Sequence, residues 1–339
     1  MARLPAMDAA ARTGWETPVA TAEATVAAPE EVEAAPLWLK LAPAIFLLLW
    51  SGGFPVGKVG IGYAGPMTFL SIRYALVLLV LVPLLVLLRP PLPRGDQLRH
   101  LLVVGVLVQG LYFGLGYAAL GLGVSAGTAA LIASLQPILT GLLAPLLTGD
   151  RIEGRAWVGL ALGFAGAAVV IVAKSGVGEA TALGIAAAIG ALLAITAGTF
   201  YEKRFGIHQH PVPANLVQHG VALAAFLPIA WLTEDFAVRP SLPLAASLAY
   251  LVVGNSLVAV GLLLAMVRRG AVARVTALFF LVPPMSALLA WALLGEAVPP
   301  VAWLGFALAA FGVALAAGIL PRGRGDLGQA VAQTARRRS

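Results

Sequence analysis

The stretch 123–150, GVSAGTAALIASLQPILTGLLAPLLTGD, has a near copy at 273–296, ARVTALFFLVPPMSALLAWALLGE. Displaced by 146 residues, 125–169 aligns with 271–315 without a gap. Of those 45 positions 14 are identical, among them Pro137/Pro283, Gly149/Gly295, Trp157/Trp303, Gly159/Gly305 and Gly166/Gly312. Ala and Leu coincide cheaply in apolar sequence, but paired Pro, Trp and Gly do not. A displacement of 145 aligns Lys58/Lys203, Pro66/Pro211 and Pro83/Pro228 and sets Arg73 against Gln218. The chain reads as one unit written twice, a weak internal symmetry of the kind found in membrane carriers.

Composition names the solvent. Of 339 residues 60% are hydrophobic and 11% charged, with a mean hydropathy of +0.94. A soluble domain carries about a quarter charged residues, so this chain cannot cover a globular surface facing water. Ten apolar segments of about 20 residues, the length that crosses a bilayer as helix, lie near 38–57, 66–88, 99–121, 125–147, 156–174, 181–201, 213–232, 243–266, 272–294 and 301–320. The predicted fold is therefore an all-α integral membrane protein of ten transmembrane helices. Residues 38–174 form the first five-helix repeat and 181–320 the second. Five is odd, so the second repeat enters the membrane from the opposite face. Such inverted repeats serve alternating access around a midplane site.

Charge sets the orientation. One set of links holds Arg89, Arg94, Arg99, Arg151, Arg155, Lys203, Arg204, Arg268, Arg269 and Arg274, against Lys58, Lys174 and Arg239 in the other. By the positive-inside bias the first set is cytoplasmic, which puts both termini inside the cell and the chain in the inner membrane. Residues 1–36 are expected to be a disordered acidic tail without a secretory-signal layout, and 321–339 a basic cytoplasmic tail. The net charge of +7 thus reports membrane orientation, and no nucleic-acid partner is expected. With no Cys there is no disulfide framework or thiolate metal site. No HExxH motif appears, and no metal or cofactor is expected.

The paired 123–150 and 273–296 segments, the W-x-G starts at Trp157 and Trp303, LLLWSGGFPVGK at 47–58 and the Pro66 to Arg73 spacing together resemble the EamA domain of the drug/metabolite transporter superfamily. The resemblance covers roughly 40–320 in both halves. It implies ten helices with both termini inside and the export of a small metabolite such as an amino acid. Its rival within transport is a broad-specificity drug or toxicant exporter; an intramembrane enzyme is more distant. The family's cavity draws on helices 1, 3, 4, 6, 8 and 9. That analogy makes Trp50, Tyr112, Gln136, Tyr201, Asn255 and Phe280 the expected substrate-binding residues.

Other candidates come from the residues themselves. Pro137 and Pro283 fall mid-span, where each removes an amide donor, and read as symmetric hinges or as static kinks. Arg73 lies about 10 Å along its helix from Pro66, deep for a guanidinium. It is read as structural or gating in preference to substrate-binding, since its repeat partner Gln218 is neutral. Lys58 reads as snorkelling to the headgroups. Small-multidrug relatives place a Glu in their first helix for proton exchange, but 39–61 contains neither Asp nor Glu. His219 is then the mid-span group that could be proton-linked. Gly123–Gly127 matches G-x-S-x-G without the sheet a hydrolase elbow needs. A small-molecule substrate, the lipid bilayer and a monomeric state are expected, with the GxxxG pairs leaving a dimer open.

Overall fold

The computed structural model describes residues 37–136, 139–140, 143, 154–175, 181–205, 209–259, 261–263, 266, 278–279 and 281–316, all within the compact unit Leu37–Ser339. Every regular element among them is helical, apart from a single bridge pairing Ala64 with Val238. In hydrocarbon each N–H and C=O must be satisfied inside its own segment, which is why the long apolar runs appear as helices. Six are long and apolar enough to cross a membrane: Leu41–Ile61, Pro66–Leu88, Asp96–Gly121, Ala182–Phe205, Pro211–Glu234 and Leu242–Leu263. Shorter apolar helices cover Trp157–Val170, Val282–Leu294 and Pro300–Leu315.

We number the α-helices α1 Leu37–Ser51, α2 Gly53–Ile61, α3 Pro66–Leu88, α4 Asp96–Val104, α5 Phe113–Gly121, α6 Ala126–Ser134, α7 Gly154–Ser175, α8 Ala182–Phe205, α9 Pro211–Glu234, α10 Leu242–Ala249, α11 Val282–Leu294 and α12 Pro300–Ala316. The repeat-related helices α3 and α9 both open on proline, Pro66 and Pro211. There the missing N–H would have had no helical partner anyway. Large apolar side chains point outward, as Leu232 and Leu242 do with four-fifths of their surface exposed. A water-soluble protein would bury them; here that face meets lipid.

Two departures from regular helix recur at matching places. Gly105–Tyr112 and Tyr250–Ala259 are π-helical, beginning 145 residues apart, in the middle of their spans. The Leu135 and Leu281 amides each bond three residues back, to Ile132 and Leu278 (3.1 and 2.9 Å), and their carbonyls accept from Leu139 and Met285 (both 3.0 Å). These pairs are 146 residues apart. Pro283 therefore sits in the first turn of α11, just after that break, and not in the interior of a continuous helix as expected from sequence. A proline is tolerated in that turn, and the break in regular bonding precedes it.

Helices α7 and α12 touch backbone to backbone. A Cβ on Gly166 would stand 2.4 Å from the Ala309 nitrogen and 2.6 Å from the Gly305 oxygen. One on Gly312 would stand 2.4 Å from the Gly163 nitrogen and 2.6 Å from the Gly159 oxygen. The later glycine of each helix meets the earlier glycine of the other, so the two helices run antiparallel. Because 166/312 and 159/305 are repeat partners, the contact is reciprocal, as at an isologous interface.

Candidate functional site

The first span is interrupted at Gly52, between α1 and α2. The Tyr250 hydroxyl donates to the carbonyl oxygens of Leu48 and Leu49 (3.0 and 3.1 Å), and Asn255 Nδ2 donates to the Leu49 oxygen (3.1 Å). The Leu48 oxygen keeps its helical bond from the Gly52 amide at 3.1 Å, and the side chains add to it and to the Leu49 oxygen. Gly52 lets Tyr250 approach this closely, since a Cβ there would lie 2.1 Å from its hydroxyl oxygen and push the ring away. Trp50 lies in the same neighbourhood, its ring 5.4 Å from Phe46 and edge-on to Phe279 at 5.6 Å. The structure thus brings Trp50 and Asn255 to one place, where α1 meets the second π-helical stretch. Tyr250 joins them; on the sequence alone nothing marks it, as its repeat partner is Gly105.

Tyr112 belongs to a second group. It sits at the end of the first π-helical stretch, its ring 4.8 Å from Phe113. Arg73 is buried, with its guanidinium carbon 4.9 Å from the centre of the Phe113 ring and 6.0 Å from that of Tyr74. The Tyr74 hydroxyl donates to the Gln109 backbone oxygen at 2.8 Å. His219 is buried edge-on against Tyr74 at 5.1 Å, and its Nδ1 donates to the Asn215 oxygen at 2.9 Å.

The remaining candidates are spread out. Gln136 Nε2 donates to Thr199 Oγ1 at 2.8 Å, linking the chain beyond α6 to α8. Tyr201 shares a 2.7 Å hydrogen bond with His100 Nδ1, beside a small cleft of about 30 Å³ that Gln97, Glu202 and Gln218 also line. Neither Thr199 nor His100 carries a sequence signal that would have selected it. Pro137 and Phe280 lie outside the described residues.

One end of the bundle is closed by polar contacts. Lys58 Nζ donates to the Glu296 carboxylate at 2.8 Å and to the Val124 oxygen at 2.9 Å. Glu296 also accepts the Ala126 amide at 3.1 Å, at the positive end of α6. Lys58 is therefore not a snorkelling lysine: a carboxylate and a carbonyl within reach satisfy its ammonium better than headgroups farther off. At the same end Glu234 caps α3 through the Met67 and Thr68 amides (3.0 and 2.8 Å), and Arg239 donates to the Gly62 oxygen. Ser125 is the N-cap of α6, accepting from the Thr128 amide at 3.1 Å and donating to Thr128 Oγ1 at 2.8 Å. Capping explains the G-x-S-x-G match. Among the described residues no three His, Cys, Asp or Glu side chains are grouped to hold a metal.

Two stretches, 37–172 and 182–318, match the family described as the EamA-like transporter family. The chain belongs to that family. This EamA-like transporter is 29% identical over 252 residues to an uncharacterized transporter of Bacillus subtilis, covering 72% of this chain and 79% of that one. It is 28% identical over 298 residues to a probable terminal-alkyne amino-acid exporter of Streptantibioticus cattleyicolor, covering 82% and 94%. A probable amino-acid metabolite efflux pump of Escherichia coli is 26% identical over 174 residues, covering 51% and 56%. One crystal structure superposes with a TM-score of 0.57 at 20% identity, over 84% of this chain and 98% of that one, a likeness of fold. The EamA-like transporter is thus a multi-pass membrane protein that moves small molecules.

Proposed function

We propose that the chain is a ten-span carrier of two inverted five-helix repeats. It exports an amino acid or related amphipathic solute across the inner membrane by alternating access, with both termini cytoplasmic. The observation that carries this reading is the reciprocal α7–α12 contact: Gly166 against Gly305 and Gly312 against Gly159. Antiparallel packing about a local two-fold between repeat partners is what inverted repeats require. The matching π-helical stretches and the matching breaks at Leu135 and Leu281 supply symmetric weak points about which each half can bend. The amino-acid substrate is supported by the printed names of the relatives from S. cattleyicolor and E. coli. Trp50, Tyr112, Gln136, Tyr201, Asn255 and Phe280 line the substrate's path, Pro137 and Pro283 serve the hinges, and His219 is the group through which a proton could be linked.

The test is flux. Purified protein in liposomes preloaded with a mixture of labelled amino acids should release them faster than protein-free vesicles. Absence of flux for every solute in a broad panel, drugs included, would remove the carrier reading. Release of structurally unrelated cationic dyes in preference to amino acids would replace it with the broad-specificity exporter.

A further inference from the structure

Arg73 is 3% exposed and lies about 10 Å along α3 from Pro66. The Phe113 ring lies beneath its guanidinium. Two of its donors, Nε and Nη1, are buried without an acceptor. Among the described residues the ion pair is Lys58 with Glu296, and no carboxylate faces Arg73. A guanidinium held in hydrocarbon without a counter-charge is costly and marks a functional position. Structural use alone would spend those donors on carbonyls, as Arg239 does on Gly62.

Gln109 Oε1 is also buried without a donor. Gln109 is one turn from Phe113, whose ring lies under the guanidinium, and its backbone oxygen receives the hydroxyl of Tyr74, the residue next to Arg73. Gln109 stands on the π-helical stretch 105–112, the kind of irregular helix that recurs at functional sites. Open donors on Arg73, an open acceptor on Gln109 and aromatic walls from Tyr112, Phe113 and Tyr117 match a zwitterion that carries a side chain.

We infer that Arg73 and Gln109 form the head-group subsite for an α-amino acid, Arg73 taking the carboxylate and Gln109 Oε1 the ammonium. The inference rests on the exporter reading and adds the residues that select for it. It moves Arg73 from gating to substrate recognition.

The test compares leucine, phenylalanine and threonine with their carboxamides, which keep the side chain and the amine but lose the carboxylate. With the full-length protein in detergent, the acids should raise the melting temperature and the carboxamides should not. In liposomes, unlabelled acids should compete with labelled efflux at least tenfold better than their carboxamides. Arg73→Gln should abolish that preference, and Arg73→Lys should keep part of it. Gln109→Leu should raise KM while leaving the acid-over-amide preference in place. Carboxamides exported as well as acids by the wild type, or an unchanged preference in Arg73→Gln, overturns the subsite while leaving the exporter standing. Flux of neither class overturns the exporter and the subsite together. Where Arg73→Gln fails to fold, Arg73→Lys carries the same test: an acid-over-amide preference equal to wild type overturns the subsite.

Discussion

Replacing Gly166 with Ala should destabilise the protein although alanine is the better helix former. The added methyl would start 2.4 Å from the Ala309 nitrogen and 2.6 Å from the Gly305 oxygen, both backbone atoms of α12. A carbon needs about 3.5 Å from such atoms, so the helices must part by about 1 Å along a seam where they touch. Overpacking of this kind costs about 1–3 kcal/mol, offset by about 1 kcal/mol from the Gly to Ala gain in helix propensity. A net loss of about 0–2 kcal/mol is expected. Gly220 is the control: it lies inside α9, and nothing stands within 4 Å of a Cβ built there. Gly220→Ala should therefore stabilise by about 0.5–1 kcal/mol, which separates the two variants by about 0.5–3 kcal/mol. Gly312→Ala, on the reciprocal contact, should match Gly166→Ala. Unfolding of the purified protein by SDS titration in mixed micelles measures all three. Gly166→Ala equal in stability to Gly220→Ala would refute the close approach, and a harmless Gly312→Ala would refute its reciprocity.

Two further substitutions probe the closed end. Ser125→Ala should cost about 1 kcal/mol through loss of the α6 N-cap, with efflux within twofold of wild type. A collapse of activity at full stability would instead make Ser125 a reacting group. Lys58→Met should cost about 1–3 kcal/mol, because Glu296 keeps the Ala126 amide but loses its charged partner in a half-buried site. The exchanged pair Lys58→Glu with Glu296→Lys should recover part of that loss in the same titration. No recovery would show that the Val124 and Ala126 contacts, and not the ion pair, hold this end.

Much of the fold was legible because a bilayer leaves a long apolar run few choices. The run at 66–88 is a helix over that range, and Pro211, aligned with Pro66, opens a helix as its partner does. Trp50 and Asn255, polar or aromatic positions in separate apolar runs, share one neighbourhood through Leu49. Partners were much harder to read. Membrane helices are apolar on lipid-facing and protein-facing sides alike, so no amphipathic stripe indicated that Arg73 would lie over Phe113 or that Gln136 would reach Thr199. The π-helical stretches carry no special composition either; they follow from how the spans pack.

From sequence alone came the membrane setting, the doubled unit and the list of polar groups that hydrocarbon makes expensive, all consequences of local composition and spacing. Tertiary structure decided which of those groups are satisfied. Lys58, 238 residues from Glu296 along the chain, finds a carboxylate, whereas Arg73 keeps two buried donors without acceptors. Both are single cations near apolar runs. What separates them is the neighbour each meets across the bundle, a matter of helix rotation and depth that one-dimensional pattern does not encode.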